Sequence, residues 1–210
     1  MPPKVSIITI NLNHADGLAR TFQSIKAHKQ FDYEYLVIDG GSTDGSVEVI
    51  KGFSEKIDYW ISEPDKGVYN AMNKGIHAAK GEYCYFLNSG DTLAEPQSLC
   101  NLLDGSDNED IIYGNMIHGG PESLEKGPST ISFQHFFNGS IYHQSALIKR
   151  ELLTTEGLYN ESLKIVSDWE FFVKAIFFKN CTTRYVDTSV ARYETGGLSF
   201  QSPERNRMER

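Results

Sequence analysis

Three short runs carry the residue types from which an active site is built. In Asp39-Gly-Gly-Ser-Thr-Asp44, two carboxylates flank glycines and hydroxyls. A carboxylate there can accept the N–H of a uracil-type base or a ribose hydroxyl. Asp and Ser also cap helices and glycine makes turns, so chemistry alone leaves both readings open. In Asn88-Ser-Gly-Asp91, one carboxylate can hold Mg²⁺ or Mn²⁺ against a diphosphate. Such hard ions take one or two carboxylates and complete their shell with phosphate and water; the alternative is a plain Asx turn. In Ser167-Asp168-Trp-Glu170, the helix macrodipole favours Asp168 as a first-turn residue. The same placement keeps it ionised, as a general base must be.

Weaker signals accompany these. His143 lies between apolar segments and is either a hydrogen-bonded structural residue or a ligand. In Asp65-Lys66-Gly67, Lys66 either meets a phosphate or sits on a surface turn. Gly196-Gly-Leu-Ser199 offers free backbone N–H groups that could close over an anion, or is an ordinary glycine loop. Neither GxGxxG nor GxxxxGK[ST] occurs, so neither a dinucleotide fingerprint nor a P-loop supports the site.

The elements that must position these runs alternate through the first half. Residues 5–10, 35–38, 57–62 and 82–87 read as short buried strands. Residues 16–29, 46–53 and 69–80 read as helices; Leu18, Phe22 and Ile25 stand at helical spacing in the first. A β-α-β-α-β-α-β order predicts a doubly wound, mostly parallel sheet with right-handed crossovers. Ligands of such sheets bind beyond the carboxyl ends of the strands, where Asn11/Asn13, Asp39 and Asn88–Asp91 all fall. The second half reads less regularly. A strand is expected at 111–113, a loop or hairpin at 119–132, strand then helix at 145–153, and a helix at 167–178.

The chain has 210 residues, room for one ample domain or two small lobes sharing a core, and a net charge of -8, which argues against a duplex nucleic-acid surface. No stretch approaches the roughly 20 apolar residues that span a bilayer. The apolar run at 5–10 is too short for a signal peptide. The three cysteines, Cys84, Cys100 and Cys181, form no CxxC and read as reduced thiols. A cytoplasmic protein is therefore expected.

Together these runs resemble glycosyltransferase family 2, with the GT-A fold. The matching segments are 5–13 (VSIITINLN), 37–45 (VIDGGSTDG), 62–75 (SEPDKGVYNAMNKG) and 80–91. His143-Gln144, Ser167-Asp168-Trp169 and Gly196-Gly-Leu-Ser199 match more loosely. The combination is similar to the bacterial branch that builds colanic acid and related surface polysaccharides, such as LPS O-antigen, capsule and exopolysaccharide. The resemblance implies an α/β, Rossmann-like fold in one domain, 1–210. Residues 1–110 would bind the nucleotide sugar, and 111–210 would form a less regular half for the acceptor and base.

It further implies an inverting transfer from a nucleotide-sugar donor, usually UDP-linked, to a saccharide or lipid-linked oligosaccharide acceptor. No nucleic acid is involved, and contact with the inner membrane face is at most peripheral. Thr9, Asn11 and Asn13 would line the nucleoside pocket, and Asp39 would contact the base. Asp65 and Lys66 would lie near the nucleotide or donor sugar. Asn88, Ser89 and Gly90 would take the place of the family's DxD motif on the donor, with Asp91 as its closing, metal-binding carboxylate. His143 would bind substrate and Asp168 would be the base. Here the usual acidic cluster is reduced to Asn88, Gly90 and Asp91, which should weaken binding of Mn²⁺ or Mg²⁺. Competing readings are a sugar-1-phosphate nucleotidyltransferase, disfavoured because 9–17 holds no Lys or Arg, and a non-catalytic sugar-nucleotide-binding protein.

Overall fold

The computed structural model describes residues 4–28, 31–119, 123–195 and 208–209. Its first half alternates as expected: β1 (Val5–Asn11), α1 (Ala15–Lys26), β2 (Tyr33–Asp39), α2 (Ser46–Gly52), β3 (Tyr59–Ser62), α3 (Val68–Ala78) and β4 (Tyr83–Phe86). β1 pairs in parallel with β2 and β4, and β2 in parallel with β3. Then follow β5 (Thr92–Leu93), α4 (Ser98–Leu103), β6 (Ile111–His118), β7 (Ser123–Glu125), α5 (Phe133–Asn138), β8 (Ala146–Lys149), α6 (Arg150–Thr155), α7 (Ser167–Val173) and β9 (Thr183–Tyr193).

The sheet runs β3-β2-β1-β4-β8-β6-β9-β5, with β7 on β6. β8 enters antiparallel to β4 and β6, and β9 returns parallel to β6. This is the expected α/β, GT-A architecture, a parallel sheet flanked by helices and extended by a less regular second half.

Side chains alternate across a strand, so a strand buried on both faces reads as one continuous apolar run. In β1, Ile8 and Ile10 join the core under α3, α6 and α7, whereas Val5 and Ile7 join the core under α1, α2 and α4. Leu18, Phe22 and Ile25 deliver the apolar stripe of α1 to that second core. Gly75 lets α3 lie close on the sheet; a Cβ there would stand 2.5 Å from Ile8 Cγ2.

The second half departs from expectation at three points. The strand expected at 111–113 continues to His118, where β7, in the segment read as a loop or hairpin, folds back on it. The helix at 167–178 is α-helical only to Val173; 174–178 is a π turn, with Lys179 N–H bonding Lys174 O. β9, with 11 residues, is not visible in the sequence pattern at all. Its register slips against β6 between Tyr113 and Met116, and such a bulge destroys the simple alternation by which a strand is recognised.

Candidate active site

A cavity of about 700 Å³ opens beyond the carboxyl ends of β1 and β4. That volume lies within the range of small-molecule sites. Its wall takes Asn11 at the end of β1 and Asn13 beyond it, Asn88, Ser89 and Asp91 after β4, Asp65 before α3, and His143 and Asp168 from the second half. Eight of the residues expected at the site thus share one space. Thr9, Asp39, Lys66 and Gly90 are not on that wall. The glycine loop at 196–199 lies outside the described residues, as do Arg205, Arg207 and Arg210.

Thr9 is fully buried, and its hydroxyl donates to Leu87 O at 2.8 Å while accepting from Tyr35. Asp39 is also fully buried. One oxygen accepts from Asn11 Nδ2 at 2.8 Å and the Ser42 hydroxyl at 2.6 Å; the other accepts from Ser42 N–H at 2.9 Å and the Ser62 hydroxyl at 2.6 Å. Burial raises its pKa, but those hydrogen bonds outweigh it and hold the carboxyl below the ordinary value. Both residues therefore brace the loops from inside. Asn13, at φ 50, accepts from Thr43 N–H, and Asp44 accepts from Ala15 N–H and Ser46. The loop after β2 is clamped to the loop after β1, and Asn11 is held at the cavity floor. Lys66 is exposed; Lys164, which sequence reasoning missed, is the lysine on the wall.

The run at 88–91 is fastened by α1. The Thr21 hydroxyl donates to Asp91 O at 2.7 Å and accepts Gly90 N–H at 3.0 Å. Gly90 has φ +99, a conformation that favours glycine, and a Cβ there would push the Glu194 carboxylate aside. Asp91 is 3% exposed; its oxygens accept Glu194 N–H at 2.9 Å and Gln144 Nε2 at 3.2 Å. Burial pushes its pKa up to about 6, with the Glu194 charge acting in the same direction and the two hydrogen bonds opposing. Glu194 itself pairs with Arg20 and with His14 at 3.3 Å.

A magnesium or manganese site can be tested against these donors. Among the described residues no group of three or more His, Cys, Asp or Glu side chains is placed to hold a metal. The residues fit such an ion in another way, as one carboxylate that a diphosphate completes. Each Asp91 oxygen keeps a second lone pair beyond its protein hydrogen bond. Asn88 Oδ1 is a buried oxygen without a protein partner.

Asp168 opens α7. Its Oδ1 lies 3.1 Å from the Tyr69 hydroxyl and its Oδ2 2.9 Å from His143 Nδ1. Burial raises its pKa, but the hydrogen bond and charge of His143, the Trp169 N–H and Tyr69 together hold it below the ordinary carboxylate value. It is thus ionised at neutral pH, with an edge on the cavity.

Comparison with known proteins gives the family. The model of glycosyl transferase family 2 matches residues 6–163. The chain belongs to this family. As a family 2 glycosyltransferase it is an enzyme, which decides against the nucleotidyltransferase and non-catalytic readings. A PGL/p-HBAD biosynthesis glycosyltransferase of Mycobacterium tuberculosis is 31% identical over 204 residues, covering 94% of this chain and 79% of its own. Among solved structures, Staphylococcus aureus TarS 1-349 in complex with UDP-GlcNAc superposes with a TM-score of 0.78 at 17% identity, over 95% of this chain. The mannosyltransferase PcManGT of Pyrobaculum calidifontis, in complex with GDP-Man and Mn²⁺, gives 0.72 at 16% over 98%. This chain spans 61% of either solved chain. At such identities these two show the fold alone. The bacterial relatives share the family.

Tyr69, Gln144, Lys164 and Glu194 also line the cavity, and sequence reasoning gave none of them a role, Gln144 being quoted only beside His143. Tyr69 lies in the family-like segment 62–75, and Gln144 beside His143, so proximity to a motif was a usable signal for both. Nothing local marks Lys164 or Glu194; they reach the wall only through the fold.

Proposed function

We propose that this glycosyltransferase moves a sugar from a nucleotide-sugar donor, UDP-linked, to a saccharide hydroxyl with inversion at the anomeric carbon. The observation that carries the proposal is one cavity holding two carboxylates whose surroundings drive them apart, Asp91 upward to about 6 and Asp168 downward. Such divergence marks groups with different tasks in one reaction.

Asn11 and Asn13 bound the nucleoside end of the cavity, and Asn88 and Ser89 face the diphosphate. The acceptor oxygen attacks the anomeric carbon from the face opposite the diphosphate. Its proton passes to Asp168, the new C–O bond forms, and the old one leaves with its electron pair on the diphosphate. General-base help of this kind contributes about 10²–10⁴-fold. Lys164 offers a positive charge to the departing phosphate, and alignment of donor and acceptor adds further acceleration. Asp91, with Asn88 Oδ1, would hold Mg²⁺ or Mn²⁺, which when bound neutralises charge gathering on the leaving group.

Residues 1–110 then serve the donor and 111–210 the acceptor and base. The acceptor is a lipid-linked saccharide of bacterial surface-polysaccharide assembly, met at the cytoplasmic membrane face; the motif pattern supports this. Among the described residues no helix is long and apolar enough to cross a membrane, in keeping with peripheral contact. Thermal-shift measurements with UDP-, GDP- and dTDP-sugars, with and without Mn²⁺, test the donor, because a bound ligand stabilises by mass action. UDP-sugars should raise the melting temperature most. A larger shift with GDP- or dTDP-sugars, or none with any nucleotide sugar, overturns the assignment.

A further inference from the structure

We infer that His143 is the positioning residue of the base, an imidazole that fixes the Asp168 carboxylate and ties it to the donor-binding run at Asn88. This rests on the reading of Asp168 as the base. Topology delivers the ring there. β8 runs antiparallel to β4, so the turn at His143–Ser145 that precedes β8 arrives where β4 ends and Asn88 begins. α7 brings its first turn to the same place. The ring is edge-on to Phe86 at 6.4 Å and its side chain is 13% exposed.

Protein atoms engage both ring nitrogens: Nδ1 stands 2.9 Å from Asp168 Oδ2, and Nε2 stands 3.2 Å from Asn88 Nδ2. When Asn88 donates to Nε2, the neutral ring carries its proton on Nδ1 and gives it to Asp168. The base thereby receives a hydrogen bond from Nδ1, and Asn88 Oδ1 stays free of the ring. The Tyr69 hydroxyl, whose single proton is shared with Ile165 O at 2.5 Å, lies 3.1 Å from the other oxygen, so the His143 N–H is the side-chain donor that sets the carboxylate plane. The ring therefore has little capacity left to bind substrate, the role that the sequence pattern assigned to it. Its work is orientation, and a misplacement of about 1 Å at a reacting group costs on the order of 10²-fold in rate.

The test uses the full chain and three variants. His143→Asn places an amide N–H near the position of Nδ1, and His143→Gln places one near Nε2. Steady-state transfer gives kcat and donor KM, calorimetry with UDP gives nucleotide affinity, and thermal melts report folding. His143→Ala should lower kcat about 10–100-fold, the scale typical of groups that orient a functional side chain. UDP affinity should stay within a few-fold. His143→Asn should recover most of the loss and His143→Gln little of it. Equal activity of the Asn and Gln variants, or a fall in UDP affinity that matches the fall in kcat, overturns the inference. If the Ala variant does not fold, the Asn-to-Gln comparison decides. Asp168→Asn run alongside separates the two readings: activity within a few-fold of wild type removes the base itself, whereas a loss above 10²-fold keeps it and leaves His143 to be judged on its own variants.

Discussion

Replacing Asp91 by Asn should stabilise the metal-free protein at neutral pH while removing the carboxylate proposed to hold the metal. Asp91 is 3% exposed and its pKa is pushed from 3.8 up to about 6, by burial first and by the Glu194 charge in the same direction. At 1.36 kcal/mol per pH unit, holding this carboxylate ionised costs the fold at most about 3 kcal/mol at neutral pH. For a chain of this size that corresponds to roughly 6–12 °C in melting temperature. Between 3.8 and about 6 the folded chain binds more protons than the unfolded one, so stability falls as pH rises through that window. An Asn keeps an acceptor for Glu194 N–H, and the Gln144 amide can turn to offer its oxygen, so both contacts survive the change. The gain should be full above about pH 7 and absent near pH 4. Circular-dichroism melts of both proteins in EDTA, across that range, read it directly. A gain of equal size at every pH, or a loss at pH 7, would refute the claim that a buried charge burdens this site.

Asp168→Asn should cut transfer about 10²–10⁴-fold with its melting temperature little changed; turnover within a few-fold of wild type contradicts the base. Because the protein offers one carboxylate to a divalent cation, Mn²⁺ should bind weakly alone and tightly with UDP, and EDTA should slow transfer until Mn²⁺ is restored. Electron paramagnetic resonance of free Mn²⁺ checks the first, and equal binding with and without UDP defeats it. Gly75→Ala, with its Cβ 2.5 Å from Ile8 Cγ2, should cost about 1–2 kcal/mol net of its better helix propensity. A melting temperature at or above wild type would mean that α3 can lift off the sheet at no cost.

The donor half is legible in the sequence because its signals are local. Continuous runs such as 5–10 announce strands buried on both faces, and Leu18, Phe22 and Ile25 announce the inner stripe of α1. Polar clusters at strand ends were also readable, but not which way their oxygens point. Asp39 and Thr9 turn to Ser62, Leu87 and Tyr35, contacts 23 to 78 residues apart that no local pattern encodes. The same limit hides Glu194, whose N–H meets Asp91 across 103 residues. β9 escapes for a different reason. Its side chains are mostly half-exposed, and its bulged pairing with β6 scrambles the period of two.

The hydrogen bond from Glu194 to Asp91 also fixes when the enzyme can be born. On the ribosome, the parallel strands and their helices emerge first and can pair as they appear. The carboxylate at 91 waits for a strand made more than ninety residues later before it gains that donor. The proposed site is therefore incomplete until residue 194 has been made, and a chain that ends at β8 can hold its parallel strands without yet being able to spend a nucleotide sugar.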